Sequence, residues 1–146
     1  MSTRALIHIK DNKKTILTIY KHCDGYLSGL GKDLVDMLDN GKSVIVNGNR
    51  GNNPQAFNTI GCMAAYIVKT LKDGIGGTYI YPPDAKDCGE EYTYTLWANE
   101  EESGTSFFSE TPAKPYIMVK EGNKKVYSGL LANFNPNALE EKLSKE

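Results

Sequence analysis

Three short stretches of this chain carry residue types that could hold a charged ligand. The first, DGYLSGLGKD, runs from Asp24 to Asp33. A glycine-rich turn that opens a helix leaves free backbone amides at the positive end of the helix dipole, which suits a phosphate. Tyr26, Ser28, Gly29, Gly31 and Lys32 are the candidate contacts there. The segment is not a Walker A loop. Gly25 and Gly31 stand one residue too far apart, and Asp33 occupies the place of the magnesium-binding Ser or Thr. The second stretch, NGNRGNNP, offers Arg50 for bidentate pairing with a phosphate or carboxylate. Gly48 and Gly51 add flexible amides beside it, and Asn47 and Asn53 add side-chain amides that can read a base edge or a sugar hydroxyl. The third is the aromatic run from Tyr79 to Trp97, where Tyr79, Tyr81 and Tyr92 present ring faces on which a base could stack.

Residues suited to covalent chemistry are present but poorly arranged. His22, Cys23 and Asp24 are immediate neighbours, and neighbours on an extended chain point to opposite sides. His22 could meet Cys62 or Cys88 only through the fold. The three cysteines are odd in number and widely spaced, with no CxxC pair, so reduced thiols, no disulfide and no zinc are expected. His8 alternates with Leu6 and Lys10 and reads as a structural strand residue. Glu90 and Glu91 read as a solvated turn. No catalytic residue, metal ligand or cofactor is therefore assigned.

The elements that must position these stretches follow from local pattern. RALIHIK and TILTIY, separated by DNKK, predict a hairpin. Leu27, Leu30, Leu34 and Met37 recur at helical spacing and predict a helix over about 28–39. Residues 43–46 suggest a short strand or a helix-to-loop transition. Asn53 as cap and Pro54 as first helical residue predict the start of a second helix. Its apolar stripe is Phe57, Ile60, Ala64, Ile67 and Leu71, and Gly74 ends it. Strands are expected at 78–81, stopped by Pro82-Pro83, at 92–97, at 105–109 after an acidic turn at 100–104, and at 114–120. The last pairs through a hairpin with 125–127. Asn135 and Pro136 open a short C-terminal helix. The expected fold is α+β: a mostly antiparallel sheet with two principal helices packed on one face.

At 146 residues the chain fits one domain, spanning 1–146, and can bury a sizeable core. Hydrophobic residues make up 40% and charged residues 24%, which argues against disorder. A net charge of −1 argues against binding a DNA duplex, which needs surplus Lys and Arg. No apolar run approaches the roughly 20 residues of a membrane span, and the N-terminus has no secretion signal. A cytoplasmic protein is expected.

YKHCDGYLSGLGKDL, the NG loop before GCMAAYIVKTLKDGIGGTYIYPP, and DCGEEYTY together resemble a widespread family of small bacterial and phage proteins. The resemblance covers about residues 4 to 97 and implies a phage-linked context rather than a particular activity. Cys23 departs from the bulkier residue of that pattern, which counts against a catalytic use for it. Phages encode small non-enzymatic proteins that sequester nucleotide immune signals, such as cyclic ADP-ribose derivatives and cyclic oligonucleotides. The context therefore implies a nucleotide-type small molecule as partner, and by the same analogy a homo-oligomer with ligand at subunit junctions. The alternatives are an enzyme acting on a nucleotide or small phosphate ester, and a protein-interaction module. A convergent acid, base and nucleophile would mark the enzyme.

Overall fold

The computed structural model describes residues 2–48, 53–98 and 112–145. Strands β1 (Ala5–Asp11) and β2 (Lys14–Lys21) form the expected hairpin. Asn12 and Lys13 turn it with φ of 52° and 70°, the left-handed pair that matches strand twist in a tight hairpin. A single π-type turn, Leu27–Gly31, runs straight into helix α1 (Lys32–Met37). β3 (Val44–Val46) pairs in parallel with β4 (Ala56–Asn58), and helix α2 (Thr59–Leu71) follows. Then come β5 (Thr78–Tyr81), β6 (Tyr92–Ala98), β7 (Pro115–Glu121), β8 (Lys124–Leu130) and α3 (Pro136–Ser144).

The expected start of the second helix is corrected. Asn53 and Pro54 do not cap it. The Asn53 side chain instead accepts a hydrogen bond from the Gln55 amide at 2.9 Å, closing a local turn. The next three residues are drawn into a strand by pairing with β3, and the helix begins only at Thr59. Its stripe survives: Ile60, Ala64, Ile67 and Leu71 are buried, with Met63 added. Phe57 lies in β4 and meets Tyr66 with ring centroids 5.4 Å apart. The C-terminal helix starts as expected, with Asn135 Oδ1 accepting from the Ala138 amide at 3.1 Å. The expected acidic turn at 100–104 and strand at 105–109 lie outside the described residues.

Six strands form one sheet in the order β5-β2-β1-β6-β7-β8. Only the central β1–β6 pair is parallel; the other four pairings are antiparallel. Strand alternation gives the sheet two distinct faces. On one, Ile7, Ile9, Ile19, Tyr94, Leu96, Ile117 and Val119 are buried with Leu27, Leu30, Leu34, Leu38, Met63 and Ile67 of the helical layer. The α+β reading thus holds, with the helices on one face. Among the described residues the opposite face carries no helix. The chain crosses it between β5 and β6, through Pro82 to Glu91, because parallel strands with two others between them require a crossover.

Candidate functional site

Register places the side chains of the helix-free face in lateral rows. One row reads Tyr81, Thr18, His8, Thr95, Met118 and Ser128 across the six strands. The next reads Tyr79, Tyr20, Leu6, Thr93, Lys120 and Lys125. A bulge after Ile9 sets Lys10 opposite Thr15 and leaves Ile16 as the extra residue. Between this surface and the crossover lies a groove of about 370 Å³. Its floor holds His8, Lys10, Thr93, Thr95 and Lys120, and the crossover contributes Asp84, Lys86 and Glu90. Three ammonium groups thus face two carboxylates in a lining otherwise rich in hydroxyls.

The floor is anchored from below the crossover. Thr18, fully buried, donates its hydroxyl to the Pro83 carbonyl at 2.8 Å, and its oxygen lies 2.8 Å from His8 Nδ1. Burial lowers the His8 pKa from 6.5; Glu90 opposes that shift and Lys10 adds to it. An aromatic cluster flanks the groove at the β5 end. Tyr20 stacks on Tyr81 at 5.0 Å between centroids, and meets Tyr79 at 6.0 Å and His22 at 5.9 Å. The Lys72 ammonium sits 5.5 Å over the Tyr79 ring. Tyr79 is exposed and Tyr81 half-buried, so both keep accessible ring surface.

The sequence-predicted residues fall in three separate places. Tyr79 and Tyr81 belong to the helix-free face. Tyr92 lies on the other face, since its neighbour Thr93 shares a row with Tyr79; its hydroxyl donates to Glu121 at 2.9 Å. The sheet therefore prevents Tyr92 from stacking on a base held by Tyr79 or Tyr81. The segment from Tyr26 to Lys32 also lies on the helical side, and its amides from Ser28 to Lys32 are engaged. Gly29 and Gly31 donate to the Tyr26 carbonyl, and the Ser28 amide points to the Glu140 carboxylate of α3 at 3.4 Å. That carboxylate takes the anion position of the turn. Gly31 is buried against Phe134 and Pro136, Tyr26 is exposed, and Lys32 pairs with Asp36 at 2.6 Å.

In the loop after β3, Gly48 has φ +97° and donates its amide to Asn58 Oδ1 at 2.8 Å. Asn47 is half-buried, and Asn53 is exposed and holds its own turn. Arg50 and Gly51 lie outside the described residues. His8, Lys10, Lys86 and Lys120 did not stand out in the sequence. The alternation of His8 and Lys10 with Ile7 and Ile9 was the available signal, because it puts two basic side chains on the face opposite those isoleucines.

The cysteines do not join a histidine. Cys23 donates to Ser2 Oγ at 3.3 Å, Cys88 contacts the Lys86 carbonyl at 3.5 Å, and His22 Nδ1 shares a 2.9 Å hydrogen bond with the Tyr20 hydroxyl. Burial pushes the Cys88 thiol up, away from the reactive thiolate. Cys23, Cys62 and Cys88 are free thiols, and no His, Cys, Asp and Glu cluster among the described residues could hold a metal. Alkylation in denaturant without reductant should therefore add three adducts per chain. A smaller mass gain would show that thiols pair in solution.

Comparison with family models, curated proteins and solved structures returns no match to this chain.

Proposed function

We propose that the chain binds and sequesters a nucleotide-type anion without transforming it, on the helix-free face of its sheet. The observation that carries this reading is the convergence of Lys10, Lys86 and Lys120 in one groove with threonine hydroxyls and an imidazole. Ammonium groups supply the charge that phosphates need, and hydroxyls match a sugar. The stacked Tyr20 and Tyr81, next to Tyr79, offer a platform for a base at the groove's flank. The hydroxyl that touches the groove's imidazole, that of Thr18, gives its proton to the Pro83 carbonyl rather than to His8, so it is not activated for attack, which favours holding over hydrolysis.

The biological setting is part of the same proposal. A phage-linked protein of this kind would act in the cytoplasm of an infected bacterium. It would withdraw a cyclic ADP-ribose-like or cyclic oligonucleotide signal from host defence. No helix among the described residues is long and apolar enough to cross a membrane.

Calorimetry with cyclic dinucleotides and trinucleotides, ADP, ADP-ribose and cyclic ADP-ribose tests the reading. Lys10→Ala combined with Lys120→Ala should weaken binding by about 3–6 kcal/mol, the loss of two charged hydrogen bonds at about 1.5–3 kcal/mol each. Stability should change little, because neither lysine is fully buried. Arg50→Ala serves as the contrast. If it alone weakens binding, by about 1.5–3 kcal/mol, the ligand sits at the loop after β3 instead. Mass spectrometry of the recovered ligand separates the classes: an intact nucleotide supports sequestration, and a conversion product makes the protein an enzyme. If the whole panel fails to bind, the nucleotide reading fails and a protein partner is favoured.

A further inference from the structure

Proton accounting at the groove floor fixes the state of one residue. A threonine hydroxyl carries a single hydrogen. Thr18 spends it on the Pro83 carbonyl, so the 2.8 Å contact with His8 Nδ1 requires the ring to be the donor. A neutral imidazole that donates from Nδ1 has a lone pair on Nε2. The ring lines the groove together with Lys10, Lys86 and Lys120.

An acceptor and an ammonium sort the parts of a ligand in opposite ways. Nε2 repels a phosphate oxygen, which is itself acceptor-only when ionised, and attracts a hydroxyl. Lys10 follows His8 by two residues on the same strand face, so their backbones lie about 7 Å apart. A phosphate on Lys10 therefore places the adjoining sugar, rather than the distant base, over the imidazole. Thr93 and Thr95 flank the ring from β6 and can also pair with hydroxyls.

We propose that His8 is the specificity-determining residue of the groove, accepting a hydrogen bond at Nε2 from a ribose hydroxyl of the bound nucleotide. Thr18 and Pro83 are positioning residues that hold its tautomer. The assignment rests on the groove being the nucleotide site. It goes further by requiring a hydroxyl donor and by predicting how pH changes selectivity. The charged groups around the ring are Lys10 from β1, Lys120 from β7, and Asp84, Lys86 and Glu90 from the crossover; β2 and β6 present threonines. Burial favours the neutral ring near neutral pH. Protonation at lower pH converts Nε2 into a donor. Preference for the hydroxyl should then vanish, and affinity for inorganic phosphate should rise.

The first measurement uses the free protein. Nitrogen NMR of the histidine side chains at neutral pH should show His8 protonated at Nδ1 and bare at Nε2. The second compares ADP with the analogue lacking both ribose hydroxyls. Wild type should bind ADP about tenfold more tightly, the equivalent of one hydrogen bond. His8→Asn, whose amide can still donate to Thr18, should bind both compounds alike. The opposite tautomer, equal wild-type affinities, or a preference that survives in His8→Asn would each overturn the assignment. If wild type binds both compounds equally, the groove reading stands and only the hydroxyl assignment fails. If wild type binds neither, the hydroxyl assignment fails, and the groove reading fails with it when the rest of the nucleotide panel also does not bind.

Discussion

Replacing Gly41 with alanine is expected to destabilise the protein by about 2–5 kcal/mol, with contributions from backbone strain and steric overlap. Gly41 has φ +79°, a left-handed conformation that costs a residue with a Cβ about 1–2 kcal/mol. A Cβ built there meets the Ala132 amide nitrogen at 2.5 Å, and Ala132 Cα and the Leu131 carbonyl carbon at 2.6 Å. These are backbone atoms of the 3₁₀ turn Leu131–Asn133, and Leu131 is fully buried in the core. They cannot rotate aside as a side chain would, so the overlap adds a further 1–3 kcal/mol, roughly the scale of an overpacked core. Gly74→Ala provides the control. Its φ is +71°, but nothing lies within 4 Å of the added Cβ, so only the backbone strain should appear. Urea unfolding should show a shift in midpoint with little change in slope, far larger for Gly41→Ala than for Gly74→Ala. Equal shifts would mean that the chain before β3 does not press against the turn after β8.

Removal of the Tyr94 side chain should cost about 3–5 kcal/mol for Tyr94→Ala, as for other large aromatics truncated in a core. Tyr94 is fully buried at the centre of the helical face, and its hydroxyl donates to the Gly25 carbonyl at 2.8 Å. Gly25 is itself buried and pressed on β1: an added Cβ would lie 2.7 Å from that of Ala5. The tyrosine thus fills volume and also satisfies a carbonyl that water cannot reach. Tyr94→Phe isolates the second contribution, at about 1–3 kcal/mol for the unpaired acceptor.

Alkaline pH gives an independent reading of the same contact. Burial, then the neighbouring Tyr92 and Glu140, raise the Tyr94 pKa above its ordinary value of 10.0. The folded state therefore holds its proton at pH values where the unfolded chain has released it. The associated stability is complete below pH 10.0 and declines as pH climbs toward the folded value. Wild type should lose more stability than Tyr94→Phe above that point, as followed by denaturant melts. Parallel losses in the two proteins would show that Tyr94 is accessible to solvent.

Several elements were legible in the chain because their signals are local. The β1–β2 hairpin follows from two β-branched runs around a turn that accepts left-handed residues. The C-terminal helix follows from Asn135 and Pro136, whose side chain and ring act within one turn. The stripe of α2 follows from period alone. Its start was misplaced because Asn-Pro serves equally well in a loop turn. Pairing of Ala56–Asn58 with β3, a contact between segments separated in sequence, decided between the two.

The candidate site was mostly outside the reach of such signals. Alternation says that Tyr79 and Tyr81 share a face and that Tyr92 and Tyr94 share one, but not whether the two faces coincide. That depends on the register of β5 on β2, β2 on β1 and β1 on β6, and it separates Tyr92 from the other two. The phosphate-like turn at Tyr26 to Lys32 was visible as glycine spacing. The Glu140 carboxylate facing its Ser28 amide comes from more than a hundred residues away. His8 and Lys10 read as ordinary strand residues until the parallel pairing of β1 with β6 and the crossover above them brought Lys86, Lys120 and Glu90 to the same groove. Turn chemistry and hydrophobic period act over a few residues, so the sequence by itself determined the elements. Which side chains meet across the sheet depends on long-range strand pairing, and only the tertiary structure decided it.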